Sequence, residues 1–476
     1  MATAKQNFYK WHRILGLIAL IPVMMWTLSG LSHPFMSNWF RPTIARETYK
    51  PQQIVKPALS IRQVLDKNAI SQFINFGLIT FNNQAYYQVL GKDSITNYYS
   101  ASSGDLLKDG DKQYAIYLAR YFTQDNTSKV KSITMQKNFD ARYQPINHLL
   151  PVWKVAFDRP DGMDVYVETL QSRMGTFNNN SRKVMLTIFE QLHTWEFLSD
   201  IGGEQFRIVV LLVIISVMLL SLLTGLTVYG LFWKKFKTAT ENRRRDDRTD
   251  TRFIHRYHRQ LGLIVSFVML TFIISGAFHL VVKMHNIKPQ AKAYNQVINT
   301  KDLAVSNLQL PVDSMKTIGL IKYADSCYYQ LSDFKKNVYY YNTSTGNQLA
   351  DGDAIYANYL SDFYRAGEPP VKVKGKSTIT QIRQFDNEYG FINKRLPVQK
   401  VAYPNGENWY IETTTSQLAT KVAGIDRAEG LSFIFLHKYF GMSWAGKNIR
   451  DIVSMLAALG VFVVSAFGFS AFLKNK

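Results

Sequence analysis

The stretch WHRILGLIAL at residues 11–20 returns as YHRQLGLIVS at residues 257–266. Each copy sets a histidine and an arginine at the edge of an apolar run. The first run, residues 14–31, and three others at 208–231, 261–280 and 452–473 are almost free of charge. Each has roughly the 18–24 residues a helix needs to cross a hydrocarbon core. Four membrane spans in a lipid bilayer are therefore expected. Lys5, Lys10 and Arg13 before the first run would also suit a secretory signal. No small-x-small cleavage site follows, however, and the same pattern stands in mid-chain, where a signal peptide has no use. The run is read as a span that stays.

The repetition continues past the spans. His12, Gly16, Ser29, Gly30 and His33 match His258, Gly262, Ser275, Gly276 and His279, each 246 residues on. FDARYQPINHLLPVWKVA at 139–156 matches FDNEYGFINKRLPVQKVA at 385–402 without a gap. YYSASSGDLLKDGD matches YYNTSTGNQLADGD, and VYVETLQSRM matches WYIETTTSQL. LHTWEF at 192–197 corresponds to LHKYFG at 436–441, with Arg207 and Arg450 following before the even spans. The expected fold is an α-helical membrane protein whose four transmembrane helices arise from a tandem duplication, with two α/β extracytoplasmic domains. Its expected order is helix 1 over 10–36, a domain over 37–190, an amphipathic segment and helix 2 over 191–236, and a basic loop over 237–254. Helix 3 over 255–284, a second domain over 285–430, and a second amphipathic segment with helix 4 over 431–476 complete it. Alternation at Tyr86–Leu90 and Val165–Glu168 predicts strands, and YAIYLARYF and AIYANYLSDFY after the DGD turns predict helices.

Fifty-six Lys and Arg against 35 Asp and Glu give a formal charge of +21. Residues 234–259 alone carry ten basic residues against four acidic ones. A short basic loop between spans marks the cytoplasmic side, so the charge is read as topology and not as a nucleic-acid surface. Both termini are then expected in the cytoplasm, and the long segments between odd and even spans outside. Cys327 is the only cysteine, which excludes an intrachain disulfide and a thiolate metal cluster.

Twenty-one residues separate His12 from His33, and His258 from His279, or about 31 Å of helix. Each odd span thus carries one histidine at each membrane surface. His193 and His437 lie on the short amphipathic segments LTIFEQLHTWEF and LSFIFLHKYF, and a hairpin after each would bring them beside His33 and His279. Paired imidazoles from different helices at matched depth suit b-type haem, which needs no C-x-x-C-H attachment motif. The four outer histidines would serve up to two haems and His12 with His258 a further one. Arg13, Arg207, Arg259 and Arg450 are candidates to pair with propionates. The plain alternative is that these residues anchor the interface; duplication copies a structural histidine faithfully, so six histidines amount to three independent observations. His148, His255 and His285 are expected to face solvent. The near-match GMSWAGKN at 441–448 to a phosphate-binding loop lacks the terminal hydroxyl and a preceding strand. With no dinucleotide fingerprint in the chain, the electron donor would be a quinol or a cytoplasmic reductase.

These features together resemble the PepSY-associated transmembrane family. The resemblance rests on WHRILGL and YHRQLGL opening the odd spans, Ser29-Gly30 and Ser275-Gly276 along them, LHTWEF and LHKYFG before the even spans, and units such as YYSASSGDLL, YYNTSTGNQL and VYVETLQSRM. It implies that both outer domains are PepSY-like and that the chain sits in a bacterial inner (cytoplasmic) membrane. Some members are inner-membrane reductases of ferric siderophores with b-type haems between four helices. For this chain the resemblance implies two or more haems, a ferric siderophore or other ferric chelate as substrate, and axial ligands among His12, His33, His193, His258, His279 and His437, with the pairing open. A noncatalytic PepSY module binding a peptide, protease or partner protein is the alternative expectation, as is a non-haem metal-handling protein.

Overall fold

The computed structural model describes residues 4–234, 250–285, 294–303, 315–366 and 375–474. Most of the expected basic loop, the junction at 286–293 and residues 475–476 lie outside them. In chain order the helices are α1 (Ala4–Pro34), α2 (Ile61–Lys67), α3 (Gly110–Thr123), α4 (Asn180–Phe189), α5 (Phe197–Leu231), α6 (Asp250–His285), α7 (Gly352–Ala366), α8 (Gly424–Ser432) and α9 (Lys447–Lys474). Two compact units result: Met1–Arg41, Ser181–Ile287 and Ile425–Lys476 form one, Pro42–Asn180 and Lys288–Gly424 the other.

The first unit is built on α1, α5, α6 and α9, each long and apolar enough to cross a membrane. They pack as a ring in which α1 and α6 each touch both α5 and α9, so α1 and α6 face each other across its centre. Ala19, Val23, Ile215, Met218, Ile273 and Val461 fill that centre. The outward face stays apolar: Ile21 is 67% exposed, and Ile264 and Phe267 are each 71% exposed. Leaving such surface in water forfeits roughly 25 cal/mol per Å², so a bilayer is the medium that suits this unit. Polar side chains within the helices are satisfied locally, as where Thr27 donates to the Val23 carbonyl at 2.8 Å and Thr224 to the Leu220 carbonyl at 2.8 Å. Two glycines govern the turns into the even spans. Gly203 breaks α5 near its start with φ +82°, and Gly446 precedes α9 with φ +83°, a conformation in which a Cβ would clash with the backbone.

The second unit is α/β. Antiparallel strands Asn75–Phe81, Gln84–Leu90, Thr96–Ser100 and Leu106–Leu107 lead into α3, and α3 into a second antiparallel sheet of Val130–Gln136, Val152–Phe157, Asp164–Glu168 and Arg173–Asn178. The later segment follows with Met315–Tyr323, Ser326–Asp333 and Val338–Asn342, then α7, then Thr378–Ile382, Val398–Ala402, Asn408–Glu412 and Gln417–Val422. The DGD triplets explain how each helix seats on its sheet. A Cβ on Gly110 would lie 2.6 Å from Tyr98 Cβ, and one on Gly352 2.8 Å from Tyr340 Cδ2, so only glycine lets the helix approach. The aspartate that follows then accepts the tyrosine hydroxyl, Asp111 from Tyr98 at 2.9 Å and Asp353 from Tyr340 at 2.8 Å. The two segments share one core, in which Phe76, Leu78 and Tyr87 pack with Ile318, Leu320 and Tyr329, and Gln72–Phe73 pairs with Ile298–Asn299.

Candidate functional site

The histidines of the helical unit fall into two facing pairs. His12 on α1 and His258 on α6 meet across the ring with centroids 6.3 Å apart and planes at 37°. His12 Nδ1 lies 3.0 Å from the Ser221 carbonyl, and His258 Nδ1 2.9 Å from the Val464 carbonyl. A carbonyl only accepts, so Nδ1 carries the proton in both rings and Nε2 keeps its lone pair. Each ring rests on a bare glycine: a Cβ on Gly225 would come within 2.8 Å of His12 Cε1, and one on Gly468 within 2.9 Å of His258 Cε1.

The second pair comes from outside the spans. α4 and α8 each run into a π turn, Glu190–Thr194 and Phe433–His437, a local widening often found at functional sites. Trp195 caps the first turn and Tyr439 follows the second after Lys438; with φ +52° and +51° they send the chain back toward α5 and α9. The segments thereby place His193 and His437 against the bundle, 6.3 Å apart with planes at 87°. Ser29 fixes His193, its hydroxyl donating to the Met25 carbonyl at 2.8 Å while lying 3.0 Å from His193 Nδ1. Ser275 repeats this toward His437 at 3.2 Å, donating to the Thr271 carbonyl at 2.8 Å. With the hydroxyl proton committed, Nδ1–H is the donor and Nε2 is again bare. Phe189 stacks on His193 at 4.6 Å and Phe433 on His437 at 4.8 Å, which locks each ring four residues further on.

A family model described as PepSY-associated TM region matches residues 76–474. The chain belongs to the PepSY-associated TM family. No curated protein matches it.

The b-type haem that this family resemblance implies can be tested against the histidine pairs. With about 2 Å for each metal–nitrogen bond and about 1 Å from nitrogen to ring centre, two imidazoles opposed across one metal have centres about 6 Å apart. Both pairs have that spacing, a bare Nε2 on each ring, and the oriented Nδ1–H that ligating histidines require. The residues fit the group. Among the described residues no three His, Cys, Asp or Glu side chains converge on one point.

The remaining predicted residues of this PepSY-associated TM protein make other contacts. His33 packs on Phe189 at 5.6 Å and His279 on Phe433 at 5.4 Å, the same phenylalanines that stack on His193 and His437. His279 Nδ1 also lies 2.7 Å from Glu429 Oε1. Arg207 is committed to Glu204 at 2.6 Å, Glu196 at 2.8 Å and the Thr194 carbonyl at 2.8 Å. Arg450 lies over the Phe440 ring at 4.0 Å, and Arg13 over the Phe472 ring at 5.1 Å; Arg259, beside His258, is half-buried. His148 and His285 are exposed as expected, His285 as the last residue of α6, but His255 is half-buried within that helix. Phe189, Phe433, Gly468 and Glu429 were not anticipated, although the spacing Phe-x-x-x-His in both halves carries the first two.

The glycine seats make a direct prediction. Gly225→Ala or Gly468→Ala is expected to push its histidine off the carbonyl, an overpacking cost of about 1–3 kcal/mol, and to lower bound haem. Gly230→Ala, where a Cβ meets nothing within 4 Å, should leave haem content at the wild-type level. Pyridine haemochrome assays of the three purified variants check it.

Proposed function

We propose that this protein is a haem-b-containing oxidoreductase of the bacterial inner membrane that passes single electrons from the cytoplasmic side to a ferric chelate, such as a ferric siderophore, outside. The observation that carries this reading is the two histidine pairs of one geometry, each 6.3 Å between centroids. One pair is borne by α1 and α6, and the other is held to the same two helices by Ser29 and Ser275; His12 and Ser29 are seventeen residues apart, or about 25 Å along α1. Haem b, when bound, supplies a one-electron carrier. The chain supplies its place: carbonyls and serines that hold Nδ1–H, glycines that admit the rings, and a lipid-facing shell that keeps the site dry. Fe(II) is softer than Fe(III) and is held less firmly by oxygen ligands, so reduction releases iron for uptake.

The basic residues of 234–259 support a cytoplasmic position for the His12–His258 end and an extracytoplasmic one for the α/β unit. A tandem duplication accounts for the recurring contacts: His12 to Ser221 and His258 to Val464, Ser29 to His193 and Ser275 to His437. The test is an absorption spectrum of the protein purified from haem-sufficient cells. A Soret band that shifts with dithionite and reverts on adding a ferric chelate is expected; a colourless protein would sink the proposal.

A further inference from the structure

The ends of α5 and α9 occupy matching places in the two halves but carry opposite charge. At α5, Arg207 is neutralised by Glu204 and Glu196, and Lys283 reaches Glu204 at 2.7 Å. At α9, the counterpart Arg450 has Lys447 where Glu204 stands and Phe440 where Glu196 stands. It stacks on Phe440 and reaches Asp451 only at 3.8 Å. Lys438, which replaces Thr194, lies over the Phe433 ring at 5.2 Å. The same inversion holds at the neighbouring histidines: His279 has Glu429, while the position matching Glu429 in the first half is Met185.

This patch is fastened to the end of α1 that bears His33. Lys447 Nζ donates to the Ser37 carbonyl at 2.9 Å, and Asn38 donates to Asp451 at 3.0 Å and to Asn448 at 2.9 Å. The charges that bear on His33 are those of Lys438, Asp451 and Lys447. Three cations against one carboxylate thus stand on the His33 side, and a compensated network stands on the His279 side. Lys438 and Lys447 are exposed. Duplication supplied both halves with one framework, and only one of them carries an uncompensated oxyanion-binding set.

We propose that the patch of Lys438, Lys447 and Arg450 beside His33 binds the substrate, and that the substrate is an anionic ferric chelate of the catecholate or hydroxycarboxylate class; this rests on the reductase reading of the same site. Neutral trihydroxamate complexes offer the cations nothing. The test uses redox-inert gallium(III) complexes, so that binding is read without electron transfer. Calorimetric titration of the full chain in lipid nanodiscs should show the anionic gallium tris-catecholate binding at least about tenfold more tightly than a neutral gallium trihydroxamate. That preference should fall with added salt.

Lys447→Glu, which restores the first half's charge, should abolish the preference by weakening tris-catecholate binding at least about tenfold. Lys438→Thr, a substitution the first half already carries, should reduce it in the same direction, which guards against misfolding of the first variant. Equal affinities for the two chelates in the wild-type protein would overturn the inference, as would an unchanged preference in both variants. A colourless wild type that keeps the preference would overturn the reductase reading alone.

Discussion

Alanine at His193 or at His437 is expected to remove one haem per chain and to leave the other in place. Alanine at His12 or His258 should remove the second haem with equal selectivity, while His33→Ala and His279→Ala retain both. The expectation follows from the spacing: only His12–His258 and His193–His437 oppose two rings at 6.3 Å among the ring contacts described. His33 and His279 pack instead, tilted, on Phe189 and Phe433. The pairs are held by separate elements, Ser221 and Val464 carbonyls for one and Ser29 and Ser275 hydroxyls for the other, so losing one should not disturb its distant partner. Pyridine haemochrome per mole of protein reads the result: two for the wild type, one for a variant of either pair. A variant of His33 that lost a full equivalent would refute this assignment.

The four spans were legible in the sequence because hydropathy acts over whole helices, and α1, α5, α6 and α9 stand where the charge-free runs lie. The histidines were legible as candidates because they recur, but their grouping was not. His12 and His258 share a depth that counting residues along a helix already gives. The place of His193 and His437 depends on π turns followed by left-handed Trp195 and Tyr439, and neither residue type announces that backbone. Counting also made His33 and His279 look equivalent to them, since their contacts with Phe189 and Phe433 arise from tertiary packing. Arg207 and Arg450 aligned as equals, yet Glu204 against Lys447 gives them different surroundings. A repeat conserves framework positions, and the informative residues are those where the copies diverge.

The largest stability effect is expected at a buried ion cluster in the α/β unit. Glu412 is fully buried, with Arg395 at 2.6 Å and Arg173 in contact on the other oxygen. Glu168, its match in the first half, is buried beside it and lies 3.9 Å from Arg173. Burial alone would push the Glu412 carboxyl up, but Arg173 and Arg395 outweigh it and hold it at about 2 against the ordinary 4.5. Burial wins at Glu168 over the same arginines, and its carboxyl is raised. The signs then oppose. A lowered carboxyl stabilises the fold fully above pH 4.5, and this contribution is lost as pH falls from 4.5 toward about 2. The raised Glu168 favours the fold while neutral, and that contribution is lost as pH rises through its folded value. Arg395→Met is expected to cost about 3–5 kcal/mol, because it leaves Glu412 buried with half its compensation. Arg395→Met combined with Glu412→Leu should cost less than Arg395→Met alone, since Glu412 is no longer a buried charge and Glu168 remains as the carboxyl facing Arg173. Hydrogen exchange at Asn408–Glu412 in the full-length protein, compared between pH 7 and pH 4, reports both effects. Glu412→Gln should flatten the acid-side loss, and equal protection in the wild type and Arg395→Met would show that the cluster does not hold the sheet.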